Sequence, residues 1–370
     1  VSTLLEIIED LYTSAQSLKD LFTHIAPVHR KILILVQKFT NRLEEILSFL
    51  SNTKNMCANY LANLQNLPFK ELYTSTVFNL EQIKHELDLL STVYDLIKSH
   101  VVAYQNKQTK NLIEALETYA ELLTKSLNMQ SITLVIPERE YASLSIVEEN
   151  CILLMLPTID IKKPQKWVLL GHEIGHMFFS LNLVTITSSV FPIIEENLEK
   201  YLSREDLRTC ISMWREYWLK EIVSDIIGCC MSGPAFLKML IFEAIDSKPR
   251  QIKYTHPPLE ARAFTQIKFL ESFNAPRDLI SEMKNVWQGF REGIVEEASL
   301  PMEFNENLLS AIAKRLRDII PQPFIINNWE SIKNVLLNPS KTEIKDLRII
   351  IPALALAEPT KRHIILNKVL

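Results

Sequence analysis

The sequence predicts a predominantly α-helical α+β chain. An apolar four-three spacing recurs through the first 127 residues, short β-branched runs break that period after Ser131, and helical spacing then returns to the end. At 370 residues, 47% hydrophobic and 23% charged, the chain has the balance of a globular protein, which excludes disorder and fibrous folds.

Four stripes carry the first part. Leu4, Ile8, Leu11, Ala15, Leu18, Phe22 and Ile25 form one; Ile32, Val36, Phe39, Leu43, Ile46 and Leu50 a second. Leu80, Ile83, Leu87, Leu90, Tyr94, Ile97 and Val101 form a third, and Leu112, Leu116, Tyr119, Leu123 and Leu127 a fourth. Each stripe buries one side of a long helix, and Pro27 and Pro68 mark breaks, so an antiparallel bundle is expected over residues 1–127. Residues 132–136, 142–147 and 151–156 read as three strands. Helices follow, with turns at Pro234, Pro257-Pro258, Pro276, Pro301, Pro321 and Pro339. The expected division is a bundle over 1–127, a catalytic core over 128–265 and a helical region over 266–370.

Charge and cysteine content narrow the function classes. The net charge is -4 with no single-sign block, so there is no footprint for a nucleic-acid backbone. Five cysteines are an odd set, and Cys229 and Cys230 are neighbours; a reducing, cytoplasmic setting is expected rather than a disulfide framework. The opening residues lack the basic start and cleavage site of a signal peptide, and none is expected. Residues 177–194 carry no charge, but Asn182, Pro192 and several hydroxyls favour a buried helix followed by an apolar loop over a membrane span.

The chemistry begins at Trp167-Val-Leu-Leu-Gly-His172-Glu173-Ile-Gly-His176, which contains H-E-x-x-H in an uncharged, helix-compatible segment. Positions four apart share a helix face, so His172 and His176 can offer imidazole nitrogens to one Zn2+. Glu173 projects about 100° around the axis, where it can reach a metal-bound water without being a ligand. A third ligand is needed. Phe179 and Asn182 stand where the metzincin pattern has Gly and His, which removes that class. Downstream, Glu221 and Asp225 lie four apart on another apolar helix. The first is placed to ligate, the second to accept an N–H from a ligating histidine. Four of the six glycines (Gly171, Gly175, Gly228 and Gly233) fall near these motifs, which points to close backbone approach.

H-E-x-x-H followed by E-x-x-x-D resembles the gluzincin metallopeptidases, and Tyr254-Thr-His-Pro-Pro-Leu-Glu-Ala-Arg262 resembles the T-H-P-P-x-x-x-R segment of their HtpX-like and CAAX-processing branch. The resemblance covers roughly residues 131–265. It implies a zincin-like core with a small sheet and hydrolysis of peptide or protein substrates, with Glu173 activating the water and His172, His176 and Glu221 holding zinc. That branch usually surrounds its zinc helix with transmembrane helices, whereas this chain is expected to lack them. His256 has two readings: a helix N-cap with Pro257 at the first helical position, or, as the resemblance implies, a catalytic group stabilising the oxyanion, a role open to Tyr254 as well. Arg262 either anchors Asp225 or Glu260, or lies on the surface. Cys229 and Cys230 are expected to be buried packing residues. The strand at 151–156 stands where zincins carry the edge strand of their sheet, or is an ordinary core strand. The competing class is a helical interaction protein whose zinc site is structural or vestigial.

Overall fold

The computed structural model describes residues 2–62, 69–146, 150–244, 255–291 and 301–367. The chain forms two compact units, Val1–Lys110 and Asn111–Leu370, and its class is predominantly α-helical α+β.

The first unit is built on three long helices, α1 (Ser2–Thr23), α2 (Arg30–Ala62) and α3 (Phe69–Gln105). The ion pairs Lys19–Glu44 and Lys54–Glu9 run in opposite residue order, so α1 and α2 are antiparallel. The first stripe is buried from Leu4 to Phe22, but Ile25 lies beyond the end of α1 and is only half-buried. In the second stripe Leu35, not Val36, faces the core. The interval from Ile32 to Phe39 can be divided as three plus four or four plus three on a helix, and the fold takes the first. Phe22 meets Phe39 and Tyr94 at ring distances of 5.6 and 5.5 Å. Pro27 falls in the α1–α2 connection, whereas Pro68 lies outside the described residues.

A fourth helix, α4 (Lys107–Ser126), carries the last stripe, in which Leu116, Tyr119, Leu123 and Leu127 are buried in the second unit. Three strands follow, β1 (Ile132–Glu138), β2 (Ala142–Ile146) and β3 (Cys151–Pro157), in the order β1-β3-β2. β3 pairs parallel with β1 and antiparallel with β2. Of the two readings of residues 151–156, sheet edge or core strand, the structure takes the second: β3 is the central strand. Ile152, Leu153, Leu154 and Leu156 are fully buried, and a run apolar on both faces needs cover on both and a partner on each side. β1 and β2 take the two edges, each pairing with β3 alone among the described residues.

The helices α5 (Thr158–Ile161), α6 (Leu170–Leu181), α7 (Leu183–Leu198), α8 (Arg204–Met213), α9 (Leu219–Ser232) and α10 (Pro234–Glu243) come next. After them are α11 (Leu259–Ser272), α12 (Arg277–Arg291), α13 (Glu306–Leu316), α14 (Phe324–Leu337), α15 (Leu347–Leu356) and α16 (Pro359–Leu366). Side-chain caps start several of these: Ser203, Asn305 and Asp346 accept from the N–H groups of Asp206, Leu308 and Arg348. Residues 183–198 are helical rather than the expected apolar loop. Asn182 leaves the helical conformation, its side chain donates to the Phe178 carbonyl, and the chain turns by 90° into α7. Among the described residues no single helix is long and apolar enough to cross a membrane.

Candidate metal centre

α6 and α9 cross at van der Waals contact of their backbones. A Cβ on Gly171 would lie 2.8 Å from the Gly228 Cα, and one on Gly175 only 2.5 Å from the Ser224 Cα. Any larger residue at either position forces the helices apart, which is the local reason for glycine here. A π-helical turn at Trp214–Trp218 leads into α9, braced by Phe304 at ring distances of 5.3 and 4.8 Å from the two tryptophans. Such a turn accommodates an extra residue and resets which face follows. In α9 the face turned to α6 carries Glu221, Ser224 and Asp225, all buried.

The two histidines of α6 then show one arrangement twice. Nδ1 of His172 is 2.9 Å from Asp225 Oδ1, and Nδ1 of His176 is 2.9 Å from Ser224 Oγ. The Asp225 carboxylate can only accept, so Nδ1 of His172 donates; the Ser224 hydroxyl can accept the same way from Nδ1 of His176, and a neutral ring that donates through Nδ1 keeps Nε2 as a lone-pair donor. Nε2 of His172 lies 3.4 Å from Glu221 Oε2, and Nε2 of His176 lies 3.6 Å from Glu221 Oε1. These separations exceed a good N–H···O bond, and Glu221 Oε2 is a buried oxygen with no hydrogen-bond partner among the described residues. They are close to the edge of a tetrahedron built on ligand bonds of about 2.0–2.1 Å, roughly 3.3–3.4 Å. The two contacts end on different oxygens of Glu221, so each matches one edge of such a figure, and the carboxylate can lend either oxygen to a divalent ion shared with the imidazoles. A carboxylate oxygen of Glu173 and one ring nitrogen from each histidine also lie within 4.8 Å of one another.

Charge is distributed unevenly across this cluster. Burial works against protonation of His172, but its hydrogen bond to Asp225 and the negative charges of Asp225 and Glu221 outweigh it and raise its pKa. His176 is lowered to about 3, by burial first and then by charged His172. Burial would raise Glu221 and Asp225, yet both are held at about 2: Glu221 by the histidines and Arg262, Asp225 by Arg262 and His172. Glu173 moves the other way, its pKa raised chiefly by burial.

Arg262 projects from α11 and is buried. Its Nε and Nη2 donate to the two oxygens of Asp225 at 2.5 and 2.7 Å, while Glu260 instead lies 3.9 Å from Arg291. His256 is not an N-cap: Pro258 occupies that position and α11 begins at Leu259, since the extended backbone of Pro257-Pro258 delays the first helical turn. Its Nε2 faces Glu221 Oε2 at 3.5 Å, and its Nδ1 is 2.7 Å from Thr255 Oγ1. Burial lowers the pKa of this imidazole. Tyr254 lies outside the described residues. Cys229 and Cys230 are buried free thiols whose pKa values burial raises.

Two participants escaped sequence reasoning. Ser224, which orients His176, sits three residues after Glu221 and so shares its face; that spacing was the available signal. Ser143 of β2 donates to the Glu173 carbonyl oxygen at 3.1 Å and ties the edge strand to α6, a long-range contact with no local signature. Comparison with protein families, curated protein sequences and solved structures finds no match to this chain.

Proposed function

We propose that the chain is a zinc-dependent endopeptidase. The observation carrying this reading is the convergence of two Nε2 atoms on the Glu221 carboxylate, at spacings suited to sharing an ion, with Glu173 beside them. His172, His176 and Glu221 would hold zinc, a donor set that suits this metal. Bound there, zinc would act as a Lewis acid toward a scissile carbonyl and a water. Glu173 takes a proton on its carboxylate and returns it to the leaving amine, and burial raises its pKa in the direction that makes this exchange easier near neutrality. Asp225 and Ser224 fix the imidazole tautomers, and Arg262 keeps Asp225 ionised. β2, tied to α6 through Ser143, offers an edge along which an extended peptide or protein segment can add by backbone hydrogen bonds. A cytoplasmic location belongs to the same proposal, supported by five free, buried cysteines.

The test is metal content and peptide-library cleavage by wild type, His172→Ala and Glu173→Gln. Wild type should carry about one zinc, which His172→Ala loses. Glu173→Gln should keep the metal and cleave at least about 100-fold more slowly, because an amide cannot take the proton. Cleavage by Glu173→Gln at the wild-type rate would remove the mechanism. The second reading, a helical interaction protein with a structural zinc, is favoured by the fourth donor that His256 brings to Glu221. It would be upheld by tight zinc with no cleavage by wild type.

A further inference from the structure

We propose that His256 is a fourth, displaceable protein ligand of this centre, and that the conformation seen here is its closed, resting state. The inference rests on the zinc peptidase reading and concerns its regulation. Three imidazoles, not two, obey the same rule. Each Nδ1 is taken by an oxygen, from Asp225, Ser224 and Thr255 at 2.9, 2.9 and 2.7 Å, and each Nε2 faces Glu221, at 3.4, 3.6 and 3.5 Å. A histidine placed only to cap a helix has no reason to aim Nε2 at a buried carboxylate oxygen that lacks a hydrogen-bond partner among the described residues.

An oxyanion-stabilising histidine would have to point its N–H toward substrate, and here that nitrogen is turned to the ion-binding carboxylate instead. The third ring differs from the other two in exposure. The side chain of His256 is 47% exposed against 12% and 17% for His172 and His176, so it can rotate into solvent without disturbing the α6–α9 contact. The same stretch of chain runs through Pro257-Pro258 into α11, whose Arg262 grips Asp225. With four protein ligands no position remains for water, and hydrolysis requires that substrate, or an event that moves Thr255 and His256, displace the ring.

The experiment uses the full chain loaded with zinc, as wild type, His256→Ala and His256→Gln. X-ray absorption counts the imidazoles around the metal, a chelator measures how fast zinc leaves, and a peptide library reports cleavage. The expected count is three in the wild type and two in both variants, with zinc leaving at least about tenfold faster from the variants, as loss of a ligand demands. Cleavage should rise severalfold. A count of two in all three proteins with unchanged zinc release would overturn the ligand assignment even if the wild type is an active peptidase. Three falling to two with lower cleavage would overturn the resting-state role. Three falling to two with no cleavage by any of them would keep the ligand and end the peptidase reading, together with the resting state built on it.

Discussion

Each compact unit of this protein contains an arginine held by both oxygens of one carboxylate. In the first unit Nε and Nη2 of Arg42 on α2 donate to Glu86 of α3, and Nη1 donates to Glu45. In the second, Nε and Nη2 of Arg262 donate to Asp225. The forks are nearly the same, but the surroundings are not: the side chains of Arg42 and Glu86 are 35% and 27% exposed, and those of Arg262 and Asp225 are 10% and 1%. An exposed pair can be replaced by water on either side, while a buried one cannot, so similar geometry carries different energy. The first fork is a clasp on the surface of a bundle whose stability comes from apolar burial. The second joins α11 to α9 at the buried edge of the candidate centre, where Asp225 also orients His172.

The largest effect should follow from breaking the buried fork. Arg262→Met keeps the volume but leaves Asp225 ionised and short of two donors, for an expected loss of about 3–5 kcal/mol in denaturant unfolding. The pKa of Asp225 should rise from about 2 once the guanidinium is gone. The contribution of that depressed pKa is fully present above the ordinary aspartate range and is lost as pH falls from there through about 2, so the variant and the wild type should converge in stability toward strongly acid pH. A constant difference down to acid pH would mean that the ion pair is not the source.

A second effect probes how closely the two helices must approach. Gly175→Ala places a methyl 2.5 Å from the Ser224 Cα and 2.9 Å from its carbonyl oxygen, both backbone atoms that cannot swing aside. Separating α6 from α9 should cost about 1–3 kcal/mol, and it should also weaken zinc binding, because His176 loses Ser224 and both histidines move away from Glu221. The bundle offers the contrast. Leu43→Ala in α2 removes a fully buried side chain and should cost about 2–5 kcal/mol while leaving zinc affinity unchanged. Stability loss without loss of metal in Gly175→Ala would show that the centre tolerates a wider helix spacing than its distances imply.

The two units were also unequally legible. In the first unit the four-three spacing placed the buried side chains from Leu4 to Phe22 and most of those from Leu80 to Val101, missing where neighbouring helical spacings compete, at Leu35 for Val36 and Val93 for Tyr94, and where a stripe outlasts its helix, at Ile25; on α4 the same competition puts Ile113 in place of Leu112. In the second unit periodicity says nothing about which helix meets which. The H-E-x-x-H and E-x-x-x-D spacings placed His172, His176, Glu221 and Asp225 on facing surfaces because carboxylates flanked by isoleucine and valine need buried partners. The order of the strands was not legible: an apolar run such as β3 can be an edge or a centre, and only pairing across the sheet decides. The alignment of His256 with Glu221 depends on the turn through Pro257 and Pro258, a tertiary placement to which no local spacing corresponds.

The smallest effect belongs to the exposed fork, and it decides whether burial or geometry sets the energy of an arginine bridge in this chain. Arg42→Met removes every bond to Glu86 and Glu45, yet both carboxylates keep access to water: their side chains are 27% and 67% exposed. No charge is stranded, and the freed side chains regain rotamer entropy that offsets part of the lost attraction. The expected cost is about 0.2–1 kcal/mol, and it should shrink further as salt is raised, since screening acts on exposed charges and hardly on buried ones. Urea unfolding of Arg42→Met and Arg262→Met at low and high ionic strength makes the comparison directly. A salt-sensitive loss for the first beside a larger, salt-insensitive loss for the second supports burial as the deciding variable. Equal losses from the two would mean that fork geometry outweighs environment, and burial would not be what makes the Arg262 bridge the stronger one.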